Sequence, residues 1–262
     1  MGRRERYEPG TFCWVDLATT DPAGAKTFYS ELFGWEAEDM PAGKAGTYTM
    51  LRLGGDEVCA LYELDLKRRE QGIPPHWLSY VTVKDADATA ARARELGALV
   101  FGETFDVLDS GRMSIVQDPT GAVLAAWQPW AHIGASRVND LGCLTWNELQ
   151  TRDPETAAAF YADLFGWETK PVKAEGTLAY VTIENAGSAN GGIMPMTEQH
   201  GEAPPHWLAY FTVPSCEGAL ARVLELGGAV LAGPLDVPAG RIALVSDPQG
   251  AVFALFEGET DD

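Results

Sequence analysis

Between Thr11 and Ala18 the chain alternates apolar and polar residues, TFCWVDLA, and between Cys143 and Gln150 it does so again, CLTWNELQ. Alternation at period two sends successive side chains to opposite faces of a strand, so both stretches are predicted strands. Each runs into an Asp-Pro pair, Asp21-Pro22 and Asp153-Pro154, the pattern of a helix N-cap followed by proline in the first turn. The period then changes. Ala25, Phe28, Tyr29, Leu32 and Phe33 form one helical stripe, Ala157, Phe160, Tyr161, Leu164 and Phe165 form another, and Gly34 and Gly166 stop the two helices. Such a stripe is read as packing of one helix face on a sheet.

The two helices are copies. DPAGAKTFYSELFGWE (Asp21 to Glu36) returns 132 residues later as DPETAAAFYADLFGWE, with ten of sixteen residues identical. PPHWL at Pro74 returns at Pro204, an offset of 130, and DPTGAV at Asp118 returns as DPQGAV at Asp247, an offset of 129. Order is kept while the offset drifts by a few residues, which describes a duplicated unit with small loop changes. Within each half, further alternating stretches follow the first helix (TYTMLRLGG and EVCALYEL in the first). HWLSYVTV or HWLAYFTV then leads into a second helix, Asp85 to Leu96 or Ser215 to Leu226. Two final strands meet at DPTG or DPQG, where Asp, Pro and Gly suit a type I turn. The order is strand, helix, strands, twice per half, giving four βαβββ units. AHIGASRVND, Ala131 to Asp140, is short and aperiodic and is read as the linker between a first domain, 1–132, and a second, 140–262.

A chain of 262 residues with 46% hydrophobic content has room for two cores. No apolar run is long enough to span a bilayer and MGRRERYEPG lacks the apolar centre of a secretory signal, so a soluble, cytoplasmic protein is expected. Cys13, Cys59, Cys143 and Cys216 are widely spaced and none is repeated in the other half, which favours reduced thiols over a disulfide or metal framework. The formal charge of −19 argues against nucleic acid and anionic membranes as partners. A small-molecule ligand is the expected partner, bound by a monomer with pseudo-dimeric halves or by a homodimer.

FYSELFGWE after the first strand and DPTGAV before the last resemble the vicinal oxygen chelate superfamily of glyoxalase I, extradiol dioxygenases and bleomycin-resistance proteins. WNEL and FGW look like the tandem glyoxalase-like proteins often labelled hydroxylases. The resemblance implies an α+β fold, two tandem domains, each of two paired βαβββ units forming an open eight-stranded cup. It also implies a ligand or metal on the concave face, held in metal-dependent members by His, Glu or Gln on the first and last strands of the units.

Carried onto this sequence, those positions fall on Trp14 and Trp146, Ala125 and Ala254, and near Leu78 and Leu208. Indole nitrogen offers no lone pair, and Ala and Leu offer no donor. Glu63 and His76 remain as weak metal candidates, and the counterpart of Glu63 is Pro195. Metal-dependent glyoxalase or dioxygenase chemistry is therefore disfavoured and no cofactor is expected. By alternation, Phe12, Trp14 and Asp16 should share a face with Val123, Ala125 and Trp127, and Leu144, Trp146 and Glu148 with Val252, Ala254 and Phe256. Each wall would be aromatic with one acid, suited to a flat or aromatic, even cationic, metabolite or antibiotic. Arg112 and Arg241 are expected either to pair with those acids or to cover the rim. The alternative is an enzyme, a lyase, isomerase or hydroxylase-type participant in natural-product metabolism, with Asp16, Glu148, His76 and His206 as candidate acid–base groups.

Overall fold

The computed structural model describes residues 2–43, 46–174 and 177–260. The first half contributes β1 (Phe12–Thr19), β2 (Glu36–Pro41), β3 (Thr47–Leu53), β4 (Asp56–Glu63), β5 (His76–Thr82), β6 (Leu99–Val107), β7 (Gly111–Gln117) and β8 (Val123–Pro129). They form one eight-stranded sheet in the order β2-β3-β4-β1-β5-β8-β7-β6. The second half repeats it with β9 (Leu144–Thr151), β10 (Glu168–Ala174), β11 (Thr177–Asn185), β12 (Ser188–Pro195), β13 (His206–Thr212), β14 (Ala229–Val237), β15 (Gly240–Ser246) and β16 (Val252–Gly258), in the order β10-β11-β12-β9-β13-β16-β15-β14. In each sheet the first strands of the two units, β1 with β5 and β9 with β13, meet antiparallel at the centre. The last strand of each unit lies parallel beside them. Each half is thus the expected α+β cup of two βαβββ units.

The helices are α1 (Pro22–Phe33), α2 (Leu66–Glu70), α3 (Ala86–Glu95), α4 (Pro154–Phe165) and α5 (Cys216–Glu225). The Asp21 side chain caps α1 by accepting from the Gly24 amide, Asp153 caps α4 through the Thr156 amide, and Gly34 and Gly166 end both helices with φ of 75° and 77°. The single turn α2, held by Asp65 as N-cap, and a 3-10 turn at Glu198–His200 escape the sequence pattern because neither carries an apolar stripe.

The repeated motifs hold the halves together. Trp77 of the HWL motif donates Nε1–H to the Tyr29 hydroxyl (3.2 Å), which donates to Oδ2 of Asp247 in the other half (3.1 Å). Trp207, Tyr161 and Asp118 repeat this at 3.0 and 2.9 Å. Oδ1 of each aspartate is occupied within its own DPxG turn, accepting from the Thr120, Gly121 and Ala122 amides or from the Gln249 and Ala251 amides. Around these relays lie two cores that each mix both halves. One sets Phe28, Tyr29 and Phe33 of α1 against Phe211, Leu220 and Phe253, and the other sets Phe160 and Tyr161 of α4 against Val81, Ala93 and Leu124. The helix stripes are core, as read from their spacing, and the core they build lies between the halves as well as within them. Between the sheet centres Ser79 donates to Oδ1 of Asn147 at 2.6 Å. All four cysteines are buried free thiols.

Candidate functional site

Strand register decides what each cup holds. Opposite Asp16 on β1 stand Ala60 on β4 and Leu78 on β5, and opposite Trp14 stands Tyr80, itself opposite Ala125 on β8. These side chains share the concave face of the first cup with Tyr48, Met50, Met113 and Trp127. The Trp14 indole donates to the Tyr48 hydroxyl (3.0 Å), Tyr48 donates to Asp16 Oδ2 (3.1 Å), and Tyr80 donates to the same oxygen (2.7 Å). Asp16 is 2% exposed, and its Oδ1 has no partner among the described residues. Burial pushes its carboxyl up to about 7 against the opposing pull of Tyr80, Tyr48 and Arg68. Burial likewise raises both phenols well above their ordinary range, so both stay protonated and act as donors.

The second cup repeats the residues of this array with one methylene more on the acid. Trp146 donates to the Tyr180 hydroxyl (3.0 Å), and Glu148 Oε1 accepts from Tyr210 (3.0 Å) and from Gln150 Nε2 (3.2 Å). Glu148 is raised by burial, opposed by Tyr210, Gln150, Tyr180 and His200. Gly192 stands opposite Glu148, and a Cβ there would lie 1.9 Å from the Tyr180 hydroxyl. Tyr180 therefore lies across bare backbone to reach the indole.

Strand register corrects the expected face of Phe12 and Leu144 and places the other candidates. A bulge sets two residues of β1 against one of β5 between Phe12 and Trp14, which turns Phe12 out of the cup and against Trp167 and Trp207, at 5.4 and 4.9 Å between ring centroids. The same irregularity in the second half turns Leu144 into the core between the halves. Arg112 reaches neither buried acid, pairing instead with Asp87 (2.8 Å) and Asp106, and Arg241 pairs with Asp236 (3.1 Å) and Glu217. Glu63 is exposed, next in sequence to the concave-facing Tyr62, and bonds Arg69 at 2.9 Å. His76 and His206 lie on the concave side one register step beyond the acids, each with Nδ1 on the carbonyl two residues earlier, Pro74 or Pro204, and burial lowers both. Trp14, Asp16 and Trp127 are brought together in the first cup and Trp146, Glu148 and Phe256 in the second.

Four tyrosines at the heart of these arrays were absent from the sequence reading. Their signal was the repeat itself, since Tyr48 and Tyr180 are 132 residues apart and Tyr80 and Tyr210 are 130 apart, the offsets of the flanking motifs. His132 was missed as well. Its ring stands edge-on to Trp14 at 4.7 Å, and its carbonyl accepts from the Trp127 indole.

The positions at which the resemblance puts metal ligands do not carry groups that fit one here. The indole of Trp14 is spent as a donor to Tyr48, and Ala125, in the same row, and Leu78, opposite Asp16, offer only hydrocarbon. Among the described residues no three His, Cys, Asp or Glu side chains come together as a metal site. None of the described helices is long and apolar enough to cross a membrane.

Residues 11–125 match the family profile described as the Glyoxalase/Bleomycin resistance protein/Dioxygenase superfamily, and residues 146–256 match one described as a Glyoxalase-like domain. The chain is 40% identical over 261 residues to "Putative glyoxylase CFP32" of Mycobacterium tuberculosis (strain CDC 1551 / Oshkosh), covering 98% of each. It is 33% identical over 266 residues to "Anthracycline biosynthesis protein DnrV" of Streptomyces peucetius, covering 96% of this chain and 94% of that one. Among solved structures, the Mn(II)-bound glyoxalase from Novosphingobium aromaticivorans shares the fold with a TM-score of 0.66 at 16% identity, covering 100% of this chain and 85% of that one.

Proposed function

The chain belongs to the glyoxalase/bleomycin resistance protein/dioxygenase superfamily, and from the groups it carries where that fold holds metal ligands we propose that it binds a small aromatic molecule without a metal. One observation supports this above others. In both cups a tryptophan, two tyrosines and a buried carboxyl gather in an apolar wall, hydrogen-bonded as one chain in the first cup and as two neighbouring sets in the second. An apolar hollow with a few convergent polar groups is the usual construction of a small-molecule site. The relative named for anthracycline biosynthesis agrees with a flat polycyclic ligand. The test is isothermal titration of the EDTA-treated protein with a panel of hydroxylated anthraquinones and related natural products. Saturable heat is expected, and its absence across the panel refutes the reading.

A second reading, metal-free acid–base catalysis, is favoured by one feature, the Asp16 carboxyl raised to about 7 beside two protonated phenols. Turnover of a bound panel compound that is lost in Asp16→Asn or Glu148→Gln, with binding retained, would establish it.

A further inference from the structure

The two cups are copies in backbone and differ in what fills them. Where the first carries Met50, Tyr62, Met113 and Trp127 on its concave face, the second carries Thr182, Met194, Ile242 and Phe256 at the matching register positions. The first set is bulkier and, Tyr62 apart, buried. Trp127 and Met113 are buried at 4% and 6% exposure, and Tyr62 stacks on Tyr48 at 6.3 Å. The linker adds a wedge, with His132 against Trp14 and Trp127 and its Nδ1 held 3.3 Å from Glu57 Oε2. Trp14 is left 2% exposed. In the second cup Trp146, Ile242 and Phe256 are only half-buried where Trp14, Met113 and Trp127 are buried, while Tyr180 is half-buried as Tyr48 and Tyr62 are.

The polar floor differs too. Ala18 of the first cup is replaced by Gln150, whose amide reaches Glu148, so the second floor holds a carboxyl, an amide and two phenols together. Such a cluster both gives and accepts hydrogen bonds, and the partner that answers it through one group is a hydroxyl. Half-buried Trp146 and Phe256, on the two strands that flank β13, pack against the cluster of Tyr210 and give aromatic surface for a planar ring system. A chain carrying −19 disfavours an anion.

We infer that the second cup alone is the ligand site, that it takes a flat aromatic molecule bearing a hydroxyl, and that the first cup is a closed copy whose hollow is filled by its own side chains and the linker. This assignment rests on the small-molecule reading above.

The test is calorimetry on the full chain with 1,2-dihydroxyanthraquinone and with unsubstituted anthraquinone as probes. One equivalent per chain is expected, with the dihydroxy compound preferred. Met194→Tyr with Phe256→Trp gives the second cup two side chains of the first and is expected to weaken binding by about tenfold or more. Should that pair misfold by circular dichroism, Phe256→Trp alone serves, with a smaller loss expected. Met113→Ile in the first cup is expected to leave affinity and stoichiometry unchanged. Two equivalents per chain, or undiminished affinity in the folded, filled variant, overturns the assignment while small-molecule binding stands. No heat from the wild-type chain with either probe overturns the assignment for this ligand class, and silence across the wider panel also removes the reading beneath it.

Discussion

The Tyr29 hydroxyl donates to Asp247 across the two halves of the chain, 218 residues away in sequence, at 3.1 Å and fully buried. The same hydroxyl accepts from Trp77, so its removal leaves a carboxylate oxygen without its donor and an indole N–H without its acceptor. Tyr29→Phe is therefore expected to destabilise the chain by about 1–3 kcal/mol, the cost of stranding buried polar groups. Tyr161→Phe should do the same through Asp118 and Trp207. Urea unfolding reads both. A change within error for either would show that the relays bear no part of the stability.

Asp16 gives a pH dependence with a defined sign. Its folded-state value, about 7, lies above the ordinary 3.8, so the folded state holds more protons between those limits than the unfolded state does. Its contribution is fully present below about 4 and is lost as pH rises through about 7, with an upper bound of about 4 kcal/mol. Glu148 and Asp247 are raised as well and act with the same sign, so the diagnostic is the difference between wild type and Asp16→Asn. Wild type should lose stability relative to the variant from pH 5 to pH 8. Parallel curves would place the titration of Asp16 elsewhere.

Gly192 and Glu148 form a matched pair, as Ala60 and Asp16 do in the first half. Gly192→Ala alone puts a methyl group where the Tyr180 hydroxyl lies and is expected to cost about 1–3 kcal/mol through overpacking. Adding Glu148→Asp, which restores the first half's combination, should recover part of that loss. A double-mutant cycle with no coupling would deny the pairing.

Chelation separates the metal question from the fold. The positions in question offer an engaged indole N–H and hydrocarbon, so dialysis against EDTA is expected to leave both Tm and probe affinity unchanged. Stoichiometric Zn, Ni, Mn or Fe in protein purified without chelator, lost together with affinity on dialysis, would contradict this.

The strands and helices were legible in the sequence because alternation and the capped helical stripe repeat in both halves, and the repeat separated signal from accident. The face of Phe12 was not legible. Alternation treats Phe12, Trp14 and Asp16 as one row, while a bulge adds a residue to β1 that leaves no mark in the pattern of polarity. The tyrosines of the arrays come from β3, β5, β11 and β13, and only the sheet order brings them to the acids on β1 and β9. Arg112 and Arg241 escaped for a related reason, since their partners Asp87 and Glu217 sit in helix first turns whose placement over β7 and β15 is a matter of tertiary packing. What the sequence carried of the site was its composition, tryptophan and alanine in place of donors, and what it hid was the hydrogen bonding that gives those residues a purpose.

The crossed relays have a consequence for dissection. Each joins an indole and a phenol from one half to a carboxylate from the other, and Trp35 and Trp167 likewise donate across to the backbone at Gly142 and Gly10. A fragment cut at the linker would carry away half of every such bond and bare the aromatic faces of α1 or α4 to water. The tandem chain is thus expected to fold as one unit, and limited proteolysis between the halves should yield pieces that stay associated until denatured.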